Sequence, residues 1–350
     1  MKNNFLIRKY FIQFVSIIFF ALSFFSCSSN KGQQTKTFLG TVCSINLFDD
    51  GSKKNYDETF KILKDVENKF SVHISNSEIS KINKASGKEA VKVSEDVFFV
   101  IQKALYYAEF SDGDFDPTVG PLVELWGIGT DKERVPSEEE IENALTFVDW
   151  HDVELNFRER SVFLKKEGMA LDLGGITKGY AADLLVDFLI EKNIERAVIN
   201  LGGNVYVYGK KEDNSPWRVG IKNPYNSEAS PALALALNSS TSVVTSGDYE
   251  RYIEKDGIRF HHIIDPHTGY SAKSSVHGAT IILQSSCDAD ALSTIAFIQG
   301  RKKFKETLNS IGQVIEGYVF IEKNNAVYAS KSLESYLTAY DSIFKDIKFE

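Results

Sequence analysis

The spacing of hydrophobic positions changes along the chain, and each change predicts an element. Phe38 to Phe48 alternates, with Leu39, Thr41, Cys43, Ile45 and Leu47 on one side. That is the period of a half-buried strand. Asp49-Asp50-Gly51 reads as a turn. Tyr56, Phe60, Leu63, Val66 and Phe70 then recur at three- and four-residue steps, one stripe of an amphipathic helix. Ser71 to Ser77 is polar and predicts a loop, with a short helix after it through Ile82. Ser94 stands as an N-cap before Phe98, Ile101, Leu105 and Ala108, a helix ending near Ser111-Asp112-Gly113. Ser137 with Glu140 forms a capping-box pattern for a helix to Phe147. Val153 to Phe157 and Ser161 to Lys165 flank Arg158-Glu159-Arg160 as a hairpin.

The second half repeats strand, Gly-rich turn, element. Ala170 to Gly175 leads into a helix with Ala181, Leu184, Leu185 and Phe188 on one face. Ala197 to Leu201 reads as a buried strand ended by Gly202-Gly203-Asn204. Further strand-like runs are Val205–Tyr208, Trp217–Ile221, Ala232–Leu237, Gly278–Leu283, Tyr318–Ile321 and Ala326–Tyr328. Asp288 predicts the cap of a helix that stops at Gly300. Strands outnumber helices and several sit in hairpins. The pattern predicts an α+β fold with largely antiparallel sheets and packed helices.

The first residues follow another logic. Lys2, Arg8 and Lys9 precede an almost wholly apolar run from Tyr10 to Phe25. The run is shorter than the roughly 20 residues of a spanning helix and reads as a secretory signal. Phe24-Phe25-Ser26-Cys27 resembles a bacterial lipobox, in which the cysteine becomes the lipidated first residue of the mature chain. An uncleaved N-terminal anchor is the alternative. Either way the expectation is a membrane-tethered, exported protein, on the periplasmic side of the inner membrane. Residues 1–26 are then the signal, 27–37 a lipid-anchored tether, and 38–350 the working domain.

Composition narrows the classes. The 350 residues are 43% hydrophobic and 25% charged, an ordinary globular mixture. Seven prolines and three cysteines exclude collagen-like and disulfide-framework proteins. A net charge of −8 argues against a nucleic-acid partner, which needs a basic face. Losing the signal strips three bases and no acid, so the remainder is more acidic still. Cys43 and Cys287 either pair or remain as two buried thiols.

Three strings offer chemistry. His261-His262-Ile263-Ile264-Asp265-Pro266-His267-Thr268-Gly269 reads as a strand end and tight turn. Adjacent histidines on a strand point to opposite faces, so at most one serves a given site. Asp290 and Thr294 are i and i+4 on a helix, which puts a carboxylate and a hydroxyl on one face. Both are hard oxygen donors of the kind Mg²⁺ prefers. Asp172-Leu173-Gly174-Gly175-Ile176-Thr177-Lys178-Gly179 opens a helix with glycines that permit close backbone approach to an anion. Singly, each string also reads as a capped turn, a helix cap or a plain tight turn.

Taken in order, the strings resemble the ApbE family, the FAD:protein FMN transferases. The resemblance runs from Leu39-Gly40-Thr41 and Ser77 to Asn83, through Phe115-Asp116-Pro117-Thr118-Val119-Gly120-Pro121-Leu122 and Leu125-Trp126-Gly127. It continues through Leu171 to Asp183, Asn200-Leu201-Gly202-Gly203-Asn204, Thr245 to Tyr252, His262 to Gly269, and Asp290-Ala291-Leu292-Ser293-Thr294. It implies an ApbE-like, T-fold-related architecture. It implies an enzyme that uses FAD as substrate, releases AMP, and attaches FMN to a Ser or Thr hydroxyl of another protein. Implied acceptors are exported or membrane-bound electron-transfer subunits, of Rnf-type or sodium-pumping quinone reductase complexes. A Mg²⁺-dependent FAD pyrophosphatase and a non-catalytic flavin-binding lipoprotein are the rival readings.

The resemblance also assigns residues. Asp290, Thr294 and the Gly175 carbonyl match Mg²⁺ ligands, and Ser293 stands where some members are acidic. His262 matches the functional histidine, as general base or phosphate-orienting group. Asp114, Phe115, Asp116 and Asp172 match FAD-contacting positions, with Leu39 and Ile264 as apolar walls. Lys178 is placed to hold phosphate, and His73 lies near a loop position that is often a flavin-stacking Tyr.

Overall fold

The computed structural model describes residues 32–226, 230–312 and 314–350. The expected signal and Cys27 lie outside the described residues. The chain starts with a hairpin, β1 (Gln34–Phe38) and β2 (Thr41–Leu47). Residues 34–37, assigned to the tether by sequence, thus form a strand. The polar string Gln-Thr-Lys-Thr gave no alternation because β1 lies at the sheet edge, where its middle residues are exposed. Helix α1 (Lys53–Phe70) buries the predicted stripe, and α2 (Glu78–Lys84) follows the polar loop. After β3 (Val91–Lys92) comes α3 (Glu95–Phe110), whose Ser94 N-cap makes no side-chain capping bond. Next are α4 (Gly120–Trp126) and α5 (Glu138–Leu145), the latter with both bonds of the Ser137/Glu140 capping box. Strands β4 (Val153–Asn156) and β5 (Ser161–Leu164) form the expected hairpin.

Helix α6 (Thr177–Glu191) leads to β6 (Ala197–Leu201), β7 (Asn204–Tyr208), β8 (Trp217–Ile221) and β9 (Leu233–Leu237). Then come β10 (Thr241–Gly247), the hairpin β11 (Tyr252–Lys255) and β12 (Ile258–His261), and β13 (Val276–Leu283). The long α7 (Ser286–Ile311) precedes β14 (Gly317–Glu322), β15 (Val327–Ala329), β16 (Leu337–Ala339) and β17 (Ile347–Phe349).

Nine strands form the main sheet, in the order β1-β2-β6-β7-β10-β13-β14-β15-β17. Every neighbouring pair is antiparallel except β15 with β17. The predicted α+β class is therefore the observed one. One face of the sheet, with Ile45, Ile199, Val244, Ile281 and Phe320, packs on the helices. The other face, with Val207, Val243, Ile282 and Val319, packs on the three-stranded sheet β16-β9-β8. A third cluster joins Leu122 and Trp126 of α4, Ile141 of α5 and Ile264, with Ile253 and Phe260 of the β11–β12 hairpin against it. Among the described residues no helix is long and apolar enough to cross a membrane. Cys43 and Cys287 are buried, unpaired thiols.

Two helices set up the site. α6 and α7 cross so closely that a Cβ on Gly179 would stand 2.1 Å from the Ser286 carbonyl oxygen. Only glycine allows that approach. Asp183 of α6 accepts from the Ser286 and Cys287 amides at 2.8 and 2.9 Å, satisfying donors that a helix start leaves open. Ser285, not Asp288, is the N-cap: its hydroxyl accepts from the Asp288 amide at 3.2 Å. The helix also does not end at Gly300. That residue kinks it (φ 67°, ψ 170°), and helix resumes to Ile311.

Candidate active site

The α6–α7 crossing gathers three of the sequence-selected strings. Asp172 turns the chain into α6 by accepting from the Gly174 amide at 2.8 Å. Asp290, in the second turn of α7, is buried. Its Oδ2 accepts from the Gly179 amide at 2.9 Å. The Lys178 ammonium donates to both carboxylate oxygens, at 3.2 and 3.3 Å, and to the Gly174 carbonyl at 3.0 Å. Thr294 lies one turn on, its hydroxyl donating to the Asp290 carbonyl at 3.3 Å. Gly175 closes the group. A Cβ there would meet Thr294 Oγ1 at 3.3 Å and the Phe115 ring at 3.0 Å. Gly175, Lys178, Asp290 and Thr294 thus stand together, with Phe115 as an apolar wall.

His262 follows the β11–β12 hairpin. Its Nδ1 lies 3.2 Å from the Arg251 carbonyl oxygen. A carbonyl only accepts, so Nδ1 carries the proton and Nε2 keeps its lone pair. Desolvation of this half-buried imidazole holds it down at about 3, with the Arg251 guanidinium and, more weakly, His261 and the Lys178 ammonium adding to the effect. Its neighbour His261 is turned into the core, where Nε2 meets the Ala272 carbonyl at 3.1 Å and the ring packs edge-on to Phe297.

The remaining predicted flavin residues are spread more widely. Leu39 sits at the β1–β2 turn with φ 53°, its amide donating to Glu67 at 2.8 Å. Ile264 is buried in the α4–α5 cluster. His73 is exposed on its loop, and its amide donates to Ser71. Asp116 is buried and engaged at both oxygens. One accepts from the Thr118 amide and hydroxyl at 2.7 and 2.6 Å, the other from the Trp150 amide at 3.1 Å. Asp114 is engaged likewise, by His267 at 3.1 Å, Gln299 at 2.8 Å and Lys303 at 2.5 Å. Both carboxylates therefore tie the irregular 114–119 loop to its surroundings.

Residues 39–319 match the model of the ApbE family. The chain belongs to the ApbE family. A FAD:protein FMN transferase of Treponema pallidum (strain Nichols) is 34% identical over 323 residues, covering 87% of this chain and 88% of that one. One from Klebsiella pneumoniae (strain 342) is 36% identical over 288 residues, covering 82% and 88%. Among solved structures, the ApbE protein of Thermotoga maritima superposes with a TM-score of 0.78 at 34% identity, covering 87% of this chain and 98% of that one. The flavin transferase ApbE of Vibrio cholerae gives 0.76 at 26% identity, with the same coverage.

In this ApbE chain some contributors escaped assignment from sequence. Ser246 of β10 reaches α7, 2.8 Å from Ser293 Oγ and 3.5 Å from Thr294 Oγ1. It lies in the Thr-Ser-Gly-Asp string, which was legible as a motif but carried no role. Ser293, fully buried, also donates to the Asp290 carbonyl at 2.9 Å. Arg251 acts through its backbone carbonyl, a contact that no side-chain pattern records.

Proposed function

We propose that this chain is a Mg²⁺-dependent FAD:protein FMN transferase. It moves FMN from FAD onto a Ser or Thr hydroxyl of an exported or membrane-bound electron-transfer protein and releases AMP. The convergence of Gly175, Lys178, Asp290 and Thr294 at one helix crossing, in a chain of this family, carries the reading. Its acceptors are then subunits of the Rnf or sodium-pumping quinone reductase type. Lipidated Cys27 holds the enzyme on the periplasmic side of the membrane.

The donor set fits Mg²⁺. A buried carboxylate, a hydroxyl and a backbone carbonyl are hard oxygen ligands. The carbonyl belongs to Gly175, where a Cβ would crowd Thr294 and Phe115. Asp290, Thr294 and the Gly175 carbonyl would hold the ion. Bound there, it supplies neutralisation of the diphosphate charge, the main demand of phosphoryl transfer. The protein's own groups do the rest. The start of α6 and the Lys178 ammonium suit an anion. His262 Nε2, whose basicity a bound diphosphate would raise above the value of the nucleotide-free protein, accepts the proton from the acceptor hydroxyl as its oxygen bonds to the FMN phosphorus. The bond from that phosphorus to the bridging oxygen breaks, and AMP departs with that oxygen.

The test combines purified protein, FAD, Mg²⁺ and an acceptor domain. AMP should appear, mass spectrometry should find an FMN adduct on Ser or Thr, and EDTA should stop both. AMP without an adduct would instead identify a pyrophosphatase. Absence of AMP with and without acceptor would refute either enzyme.

A further inference from the structure

Lys178 already occupies the carboxylate that a divalent ion would need. Its ammonium lies 3.2 and 3.3 Å from the two oxygens of Asp290 and 3.0 Å from the Gly174 carbonyl. Asp290 has a side chain only 4% exposed, so an uncompensated charge there would be costly. Lys178 and the Gly179 amide provide the compensation. The Lys178 side chain itself is 26% exposed, so its head has a route outward. It also springs from the first turn of α6, the end of the helix that favours anions.

We infer that Lys178 is an exchangeable occupant of the cation site: it neutralises Asp290 until a divalent ion displaces it, and its displaced ammonium then serves the diphosphate. The inference rests on Asp290 being a metal ligand, as proposed above. A divalent ion on this carboxylate would repel an ammonium held 3.2 and 3.3 Å from its oxygens. The ion must therefore expel the ammonium, and the cost of expulsion weakens metal binding in the absence of nucleotide. A diphosphate that draws Lys178 away lowers that cost. Ion and FAD thereby favour each other's binding, as linkage requires. An enzyme arranged this way holds its metal weakly until the substrate is present.

The measurement is Mn²⁺ binding to the nucleotide-free full chain, followed by the electron paramagnetic resonance signal of the unbound ion. K178M should bind Mn²⁺ about tenfold more tightly than the unaltered protein, within the usual range for coupled sites. K178R, which retains the cation, should bind no more tightly than the unaltered protein. Thermal melts in EDTA should show K178M less stable, with a larger gain on adding Mn²⁺. Where K178M loses its fold, K178Q gives the same comparison with a neutral donor left for Asp290. A gain in affinity is not what simple structural damage produces. Equal or weaker Mn²⁺ binding by the folded neutral variant would overturn the exchange and leave the metal reading intact. Failure of both proteins to bind Mn²⁺ would overturn both.

Discussion

At the residue scale, His262 shows how a backbone contact selects a chemical state. The Arg251 carbonyl requires a proton on Nδ1, so the nitrogen left with a free lone pair is Nε2. Desolvation, with the Arg251 guanidinium second, holds the group at about 3. The sign follows. The folded state favours the neutral ring, so its contribution to stability is present above the unfolded value of about 6.5. That contribution fades as pH falls toward about 3. In the protein without FAD, ring nitrogen shifts of His262 should show no protonation step between about pH 5 and 8. A midpoint near 6.5 would contradict the assigned environment. His262→Gly should lower transfer by about 10²–10⁴, the usual range for a lost general base, with FAD affinity little changed. Sequence exposed the Asp290/Thr294 pair because both lie on one helix face. It did not expose the Lys178–Asp290 bond, which joins residues 112 positions apart. The Asp114–His267 contact spans 153 positions and was hidden for the same reason.

At the element scale, amphipathic periods were legible and doubly buried ones were not. Helix α1 and strand β2 have one wet side, so their patterns betray them. Strand β10 has none: Val243 packs into the cluster below the main sheet and Val244 into the one above it. Its string Thr-Ser-Val-Val-Thr-Ser-Gly shows no alternation, yet it lies mid-sheet and carries Ser246. The α6–α7 crossing was likewise invisible, because it depends on two backbones meeting. It yields a test. Gly179→Ala places a methyl 2.1 Å from the Ser286 carbonyl oxygen, and backbone cannot yield as a side chain does. The helices must separate, at a cost of about 1–3 kcal/mol. The same shift draws the Gly179 amide off Asp290. Denaturant unfolding should report the loss, and divalent-ion affinity should fall with it. A variant of unaltered stability and metal affinity would show that the crossing does not position Asp290.

At the scale of the whole molecule, class and order separate. Counting strands and hairpins predicted an antiparallel α+β protein, but strand order requires long-range pairing that no local window contains. β2 pairs with β6, and β7 with β10, across intervening helices or small sheets. The same scale separates catalysis from attachment. Every residue proposed for the reaction lies between Leu39 and Thr294, within the stretch matching the ApbE family. Cys27, proposed as the lipid site, precedes β1. The anchor should therefore set where the enzyme works and not how it works. A Cys27→Ser chain expressed in a bacterial host should lose lipid incorporation, and one that begins at residue 28 behind a cleaved signal should leave the detergent-extracted membrane fraction. Its kcat/KM for FAD with a soluble acceptor domain should match the lipidated enzyme, because nothing in the site has changed. Flavinylation of a membrane-embedded acceptor should fall in the same cells, since tethering raises the effective concentration of enzyme at that surface. Absence of lipid label from the unaltered chain would reject Cys27 as the lipid site. A drop in kcat/KM on the soluble acceptor would show instead that the N-terminal segment contributes to the reaction.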